Sequence, residues 1–281
     1  MERILVTGSN GQLGSELAVL ASKYPQYEWV FADRSKITLD DLETLKIQLE
    51  EIHPNIILNC GAYTAVDKAE TEKELAFKIN HLAVELIAKY TFENNAKLIH
   101  ISTDYVFDGT SSIALNEDEE TNPVNVYGAS KRAGEIACLK ENPNSIIIRT
   151  SWVYSKFGNN FVKTMQRLMQ ERDGINVVND QIGSPTYAAD LAQAMIDIVE
   201  SPKWIPGIYN YSNEGEISWY EFALSIKELG GYNCNVEGIP SASYPTPAKR
   251  PEFSLLNKKK IKTVYNLNIP NYKESLKKMF V

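Results

Sequence analysis

The first fourteen residues constrain this chain more than any other segment. Arg3 to Thr7, RILVT, is a short apolar run of strand-forming residues. It leads straight into Gly8-Ser9-Asn10-Gly11-Gln12-Leu13-Gly14 and then into a helical pattern through Leu20. Strand, glycine-rich turn and helix in immediate succession form the setting of a dinucleotide-binding fingerprint. Gly8 permits the tight turn, Gly11 lets backbone approach a pyrophosphate, and Gly14 lets the helix pack closely on the strand. The helix N-terminus then directs its partial positive charge at phosphate. The spacing is Gly-x-x-Gly-x-x-Gly, not the Gly-x-Gly-x-x-Gly of most simple dehydrogenases.

A second strand, Tyr27 to Ala32, ends at Asp33-Arg34, nineteen residues after Gly14. A carboxylate there is placed to meet the adenosine ribose 2′-hydroxyl. The arginine beside it is suited instead to a 2′-phosphate. The two neighbours leave NADPH and NADH both open as cofactors.

Further apolar runs recur at Ile56–Leu58, Leu98–Ile101, Ile146–Ile148 and Ile175–Val178. The helical stretches Leu42–Glu51, Glu74–Glu93 and Tyr127–Lys140 separate the earlier ones. Strands apolar on both faces, alternating with helices, predict an α/β fold: a Rossmann-like doubly wound parallel sheet covered on both sides. Ligands in such folds bind beyond the carboxyl ends of the strands. Past that point the pattern changes. Asn159–Arg172 and Trp219–Leu229 read as amphipathic helices, and proline is dense from Pro240 to Pro251. We therefore expect residues 1–155 plus about 175–205 to form the dinucleotide-binding domain. Residues of about 156–174 plus 206–281 are expected to form a smaller C-terminal substrate-binding domain.

The strand ends are where polar residues gather. Asn59 to Asp67 follows the third strand, Ser102 to Gly109 the fourth and Thr150 to Tyr154 the fifth. Three such clusters form a rim around one crevice. Just beyond the second lies VYGASKRAGE, in which Tyr127 and Lys131 stand four residues apart on one helix face. A lysine ammonium beside a phenol favours the phenolate, and the pair would then donate a proton at a carbonyl. Tyr-x-x-x-Lys alone is weak, since a chain with 15 tyrosines throws up roughly one by chance. Its place downstream of the glycine turn gives it weight. Lys249 and Arg250, in a proline-broken loop, are candidate diphosphate ligands.

A net charge of −7 argues against general nucleic-acid binding. No stretch approaches the roughly 20 apolar residues of a membrane span, so no membrane partner is expected. With a strand this early, no signal peptide is expected. Cys60, Cys138 and Cys234 show neither metal nor disulfide spacing, which fits a reducing cytoplasm. His53, His81 and His100 are scattered and are expected to be structural.

GxxGxxG at Gly8–Gly14, STDYVFDG at Ser102–Gly109 and YGASK at Tyr127–Lys131 resemble the extended short-chain dehydrogenase/reductase superfamily. Within it the chain resembles the dTDP-4-dehydrorhamnose reductase family. That narrower likeness rests on GQLG, AYTAVDKAE at Ala62–Glu70, RTSWVY at Arg149–Tyr154, GNNF at Gly158–Phe161, NDQIGSPT at Asn179–Thr186 and YPTPAKRP at Tyr244–Pro251. It implies the last step of dTDP-L-rhamnose synthesis, a contribution to cell-surface polysaccharide: reduction of the 4-keto group of dTDP-4-dehydro-β-L-rhamnose with NADPH or NADH. It also implies catalytic roles for Tyr127, Lys131 and Thr103, with Ser102 the local rival of Thr103. Gly11, Gln12 and Leu13 would touch the pyrophosphate, and Asp33 and Arg34 the adenosine ribose. Thr38 and Leu39 would flank the adenine, and Ala62, Tyr63 and Thr64 would line the nicotinamide side. Val66, Asp67, Asp104, Tyr105, Trp152 and Arg250 would contact the sugar nucleotide, with Trp152 over the deoxysugar face.

The chain departs from the family pattern in two places. Some relatives carry an acidic residue where Thr38 stands. Some bacterial relatives dimerise through magnesium bound by acidic residues. Glu16 matches one of these, but Ala188-Ala189-Asp190-Leu191 offers one carboxylate where a hard cation wants several oxygens. We therefore expect no metal-ligand set and no magnesium-bridged dimer, with magnesium binding itself left open; the chain is expected to be a monomer or homodimer. Asp190 is expected instead to cap or anchor the helix that follows Pro185. Two other functions remain open: another nucleotide-sugar reductase or epimerase of the superfamily, or a non-catalytic NADP-binding regulatory subunit.

Overall fold

The computed structural model describes residues 1–280. Strands β1 (Glu2–Thr7), β2 (Tyr27–Ala32), β3 (Ile56–Asn59), β4 (Lys97–Thr103) and β5 (Ile146–Thr150) alternate with helices. The helices are α1 (Gln12–Ala21), α2 (Leu42–Ile52), α3 (Val66–Ala69), α4 (Lys73–Phe77), α5 (Ala83–Glu93) and α6 (Val126–Glu141). The short strand β6 (Val153–Tyr154), helix α7 (Phe161–Glu171) and strands β7 (Gly174–Val178), β8 (Ile182–Gly183) and β9 (Thr186–Tyr187) follow. Helix α8 (Ala188–Glu200), strands β10 (Gly207–Tyr211) and β11 (Ile217–Ser218), helix α9 (Trp219–Gly230), strand β12 (Asn235–Ile239) and helices α10 (Lys259–Tyr265) and α11 (Tyr272–Met279) complete the order.

The large sheet has six strands in the order β10-β5-β4-β3-β1-β2, all parallel. Its strands are apolar on both faces because both are covered. Ile4, Val6, Ile56, Leu58, Ile146 and Ile148 pack with residues of α1 and α8. Leu5, Ile57 and Ile147, one step out of phase, pack with residues of α2 and α5. Each such buried side chain stabilises the fold by roughly 1.5–3 kcal/mol. Strand order reverses at β1, whose neighbours are β2 and β3, so a crevice opens beyond Thr7 and Asn59.

Two strand expectations need correcting. Residues 175–178 do form a strand, but β7 pairs in parallel with β12 outside the large sheet. It alternates buried Ile175 and Val177 with exposed Gly174 and Asn176, the mark of a half-covered strand rather than a central one. The sixth strand of the large sheet is β10, which the sequence hides because Asn210 interrupts its apolar run. Residues 174–178 thus stand with the smaller unit and 207–211 with the larger sheet, unlike the expected boundaries. The smaller unit has its own core, in which Met165, Ile175, Val177, Phe222, Ile226 and Leu276 meet.

The helix expected over Glu74–Glu93 is broken by a π-helical turn at Lys78–Leu82. That bulge rotates Asn80 inward. Asn80 Oδ1 accepts from Tyr63 N at 2.9 Å, and its Nδ2 donates to Tyr63 O and to Ser130 Oγ, each at 3.0 Å. The bulge therefore fixes both the loop after β3 and the helix α6, as π-bulges near functional sites often do.

Candidate active site

The glycine turn is built as its spacing requires. Gly8 has φ +63°, and a Cβ there would lie 2.7 Å from Gly61 Cα, across the point where strand order reverses. A Cβ on Gly14 would lie 2.5 Å from Gly8 O. Helix α1 begins after Gly11 with no side-chain cap, so its first amides are open to a ligand. Gln12 reaches away to Val153 O and accepts from Asn160 Nδ2 at 3.0 Å, tying the turn to the start of α7. Leu13 is buried beneath it. At the end of β2, Asp33 accepts from Asn10 Nδ2 at 3.1 Å and from Ser35 N at 2.9 Å. The Ser35 contacts hold its carboxyl below the usual range. Arg34 turns outward and pairs with Asp40. Thr38 N donates to Gln48 Oε1, and Leu39 abuts Gly61. Shape, open helix terminus and terminal carboxylate all fit a dinucleotide.

Asn125 caps α6 by accepting from Gly128 N at 2.7 Å, and the helix carries Tyr127 and Lys131 to the end of β4. The Tyr127 ring meets that of Tyr105 edge-on, centroids 5.8 Å apart. Thr103 Oγ1 accepts from Tyr105 N at 3.2 Å and donates to Asp104 Oδ1 at 3.0 Å. Burial pushes the Tyr127 phenol up to about 12, the Thr103 hydroxyl pulls it back, and the Asp104 charge adds to the rise. The expected lowering by Lys131 is absent. The Lys131 ammonium is drawn aside, donating to Ile101 O at 2.6 Å and lying 3.4 Å from His100 Nε2. Burial brings Lys131 itself down to about 8, against the pull of Glu135. Ser102 is buried and its hydroxyl finds no partner among the described residues, whereas Thr103 faces the phenol.

Asp104 is 2 % exposed, and its Oδ2 makes no hydrogen bond among the described residues. Burial raises its carboxyl to about 6, with the Ser254 and Thr103 hydroxyls opposing. On the other side of the rim, Arg250 forms a fork on Asp67, at 3.1 and 2.9 Å, and Ala248 N donates to Asp67 Oδ1. Asn125 Nδ2 holds Lys249 O at 2.8 Å. The proline-broken loop is thereby fixed next to Tyr127, with Lys249 exposed. Ala62, Tyr63 and Thr64 run from Gly61 to Val66, the first residue of α3.

Trp152 adopts the left-handed conformation, φ 47°, uncommon for a bulky residue. It stacks on Trp219, centroids 3.7 Å apart, and a Cβ on Gly183 would lie 3.0 Å from its ring. Trp219 thus covers one face of the indole expected over a deoxysugar. Sequence reasoning also missed Asn10, Asn80, Asn160 and His100. Asn10 and Asn160 lie inside recognised motifs, the glycine turn and GNNF; Asn80 and His100 act through contacts between residues far apart in the chain.

Glu16 accepts from Ser155 Oγ at 2.6 Å. Asp190 lies in the first turn of α8 but does not cap it. It accepts from Asn213, Ser275 and Lys278 and so anchors the helix to α11. Among the described residues no group of three or more His, Cys, Asp or Glu side chains is placed to hold a metal. No helix among them is long and apolar enough to cross a membrane.

A parallel sheet with a glycine cradle at its reversal point, and a Thr-Tyr-Lys set at the end of its fourth strand, defines an extended short-chain dehydrogenase/reductase. Residues 1–281 match the family model described as RmlD substrate binding domain. The chain is 39% identical to the dTDP-4-dehydrorhamnose reductase of Aggregatibacter actinomycetemcomitans, over 99% of this chain and 98% of that protein. It is 40% identical to that of Sinorhizobium fredii, over 99% and 96%. The solved structure of dTDP-4-dehydrorhamnose reductase from Bacillus anthracis in complex with NADP, 39% identical, superposes with a TM-score of 0.94 over 99% of this chain and 98% of that one. The chain belongs to the dTDP-4-dehydrorhamnose reductase family.

Proposed function

We propose that this protein reduces the 4-keto group of dTDP-4-dehydro-β-L-rhamnose to give dTDP-L-rhamnose, with NADPH as the preferred reductant. The observation that carries the reading is the convergence of Thr103, Tyr127 and Lys131 on the crevice that begins at the glycine cradle. A bound nicotinamide supplies the hydride. The protein's part is to bind, orient and protonate.

Gly8, Gly11 and Gly14 leave room for a pyrophosphate, and the open amides of α1 from Gln12 and Leu13 bind it. Asp33 and Arg34 take the adenosine ribose, and release of Arg34 from Asp40 frees a guanidinium for a 2′-phosphate. Thr38 and Leu39 border the adenine, and Ala62, Tyr63 and Thr64 border the nicotinamide. Lys131 holds the adjoining ribose.

Tyr127 donates the proton that the developing 4-alkoxide requires. A phenol near 12 stays protonated at neutral pH, the correct form for a donor. The Thr103 hydroxyl, turned from Asp104, donates to the sugar oxygen as it gains charge. The unpartnered Asp104 Oδ2 accepts from a sugar hydroxyl, which satisfies a buried acceptor. Val66, Tyr105 and Trp152 wall the deoxysugar. Arg250 shares its fork between Asp67 and the diphosphate. The smaller unit closes the crevice through Trp219 and the 247–251 loop. Three unpaired cysteines support a cytoplasmic setting.

The test is NADPH oxidation with dTDP-4-dehydrorhamnose made in situ and the product identified by NMR. dTDP-L-rhamnose formed in step with NADPH consumed is the expected result. Cofactor binding without sugar turnover would favour a non-catalytic binding subunit.

A further inference from the structure

Three polar side chains cross the apolar sheet in register. Thr7 of β1 pairs with Asn59 of β3, and Asn59 pairs with His100 of β4. All three are buried to within 1 % exposure. Thr7 Oγ1 accepts from Gly61 N at 3.0 Å and donates to Asn59 Oδ1 at 2.6 Å. Asn59 Nδ2 lies 3.0 Å from His100 Nδ1, and His100 Nε2 lies 3.4 Å from Lys131 Nζ. The row starts at Gly61, the residue against which Gly8 packs, and ends at the amine of α6. Polar residues in central strands are costly unless bonded, and nothing in the packing of this sheet calls for them.

We propose that His100 is a positioning residue for Lys131, holding the amine in place for the cofactor through a buried row that begins at the glycine cradle. Apart from Ile101 O, His100 is the only hydrogen-bonding side chain within reach of Lys131 Nζ among the described residues. The other groups facing that amine are Cys60 of the loop after β3 and Glu135 and Cys138 of α6. Burial keeps the imidazole neutral; with Asn59 Nδ2 donating to Nδ1, the ring proton sits on Nε2 and meets Nζ in its neutral amine form, which burial favours by bringing Lys131 down to about 8. A lysine on a four-carbon stem has many rotamers. A fixed partner removes that freedom before the cofactor arrives, which is where a positioning residue acts.

The inference rests on the reductase reading only for its kinetic consequence; its test is a binding measurement. NADPH affinity is measured by calorimetry for wild type, His100→Leu, Lys131→Met and the double variant, each checked for folding by its unfolding midpoint. The expected result is a loss of about tenfold for His100→Leu in the wild-type background and under about twofold in the Lys131→Met background, because coupled residues are not additive. An equal loss in both backgrounds means that His100 acts through the sheet alone and overturns the proposal. No loss in the wild-type background overturns it too. If His100→Leu fails to fold, His100→Met is taken through the same cycle, and failing that Asn59→Ala, which breaks the row one residue earlier. A wild-type protein that binds NADPH but leaves the sugar unreduced ends the reductase reading, while the coupling measured between His100 and Lys131 still decides the positioning role.

Discussion

Asp104→Asn separates the demands of folding from those of the site. The carboxyl is 2 % exposed with one oxygen unpartnered, and burial raises it from 3.8 to about 6. A raised acid binds its proton more tightly in the folded chain than in the unfolded one, so stability falls as pH rises through that window. Above it the penalty is about two pKa units, or about 3 kcal/mol. Asparagine removes the charge but places an amide N–H in the same unpartnered space, at about 1–2 kcal/mol. The variant should therefore gain about 1–2 kcal/mol near pH 8, or roughly 3–6 °C in Tm. Near pH 4.5 the wild-type penalty shrinks to about 1 kcal/mol, and the gain should vanish. The assay is thermal unfolding of both proteins at the two pH values, with the KM for the dTDP-sugar measured alongside and expected to rise. A Tm difference that is negative near pH 8, or the same at both pH values, would refute the reasoning.

Arg34→Ala should weaken NADPH by about tenfold and NADH by under about threefold, because a 2′-phosphate loses a charge-assisted contact that a hydroxyl does not make; equal losses in paired binding titrations would remove that role. Glu135→Gln breaks a fully buried fork on Arg149, with both contacts at 2.8 Å, and should cost about 3–5 kcal/mol in denaturant unfolding. A cost under about 1 kcal/mol would contradict that. Gly14→Ala forces a Cβ to within 2.5 Å of Gly8 O and should abolish cofactor binding in calorimetry while leaving most of the fold's circular dichroism intact.

The four central strands β1, β3, β4 and β5 are legible in the sequence because central parallel strands are apolar on both faces, and the edge strand β2 is legible from its run Trp29–Ala32. β10 escapes notice because an edge strand needs no unbroken apolar run, and Asn210 commits its amide to Leu115 O. β7 reads as one more sheet strand because Ile175, Val177 and Val178 hide its one-sided burial. The Tyr127–Lys131 spacing places both side chains near the site, but their charge relation depends on where the lysine finds acceptors, and Ile101 O is a backbone atom that sequence cannot place. The π-turn at Lys78–Leu82 leaves the helical periodicity almost unchanged, so the inward turn of Asn80 is invisible before the fold is known. His100 looks like any histidine in an apolar strand until register sets it beside Asn59.

The central claim is that the Tyr127 hydroxyl delivers a proton to the sugar oxygen. Single-turnover oxidation of bound NADPH by dTDP-4-dehydrorhamnose, compared between wild type and Tyr127→Phe, tests it most directly. The account predicts a fall of about 100-fold or more in that rate, with NADPH affinity within about threefold of wild type. A variant that transfers hydride at near the wild-type rate would contradict it.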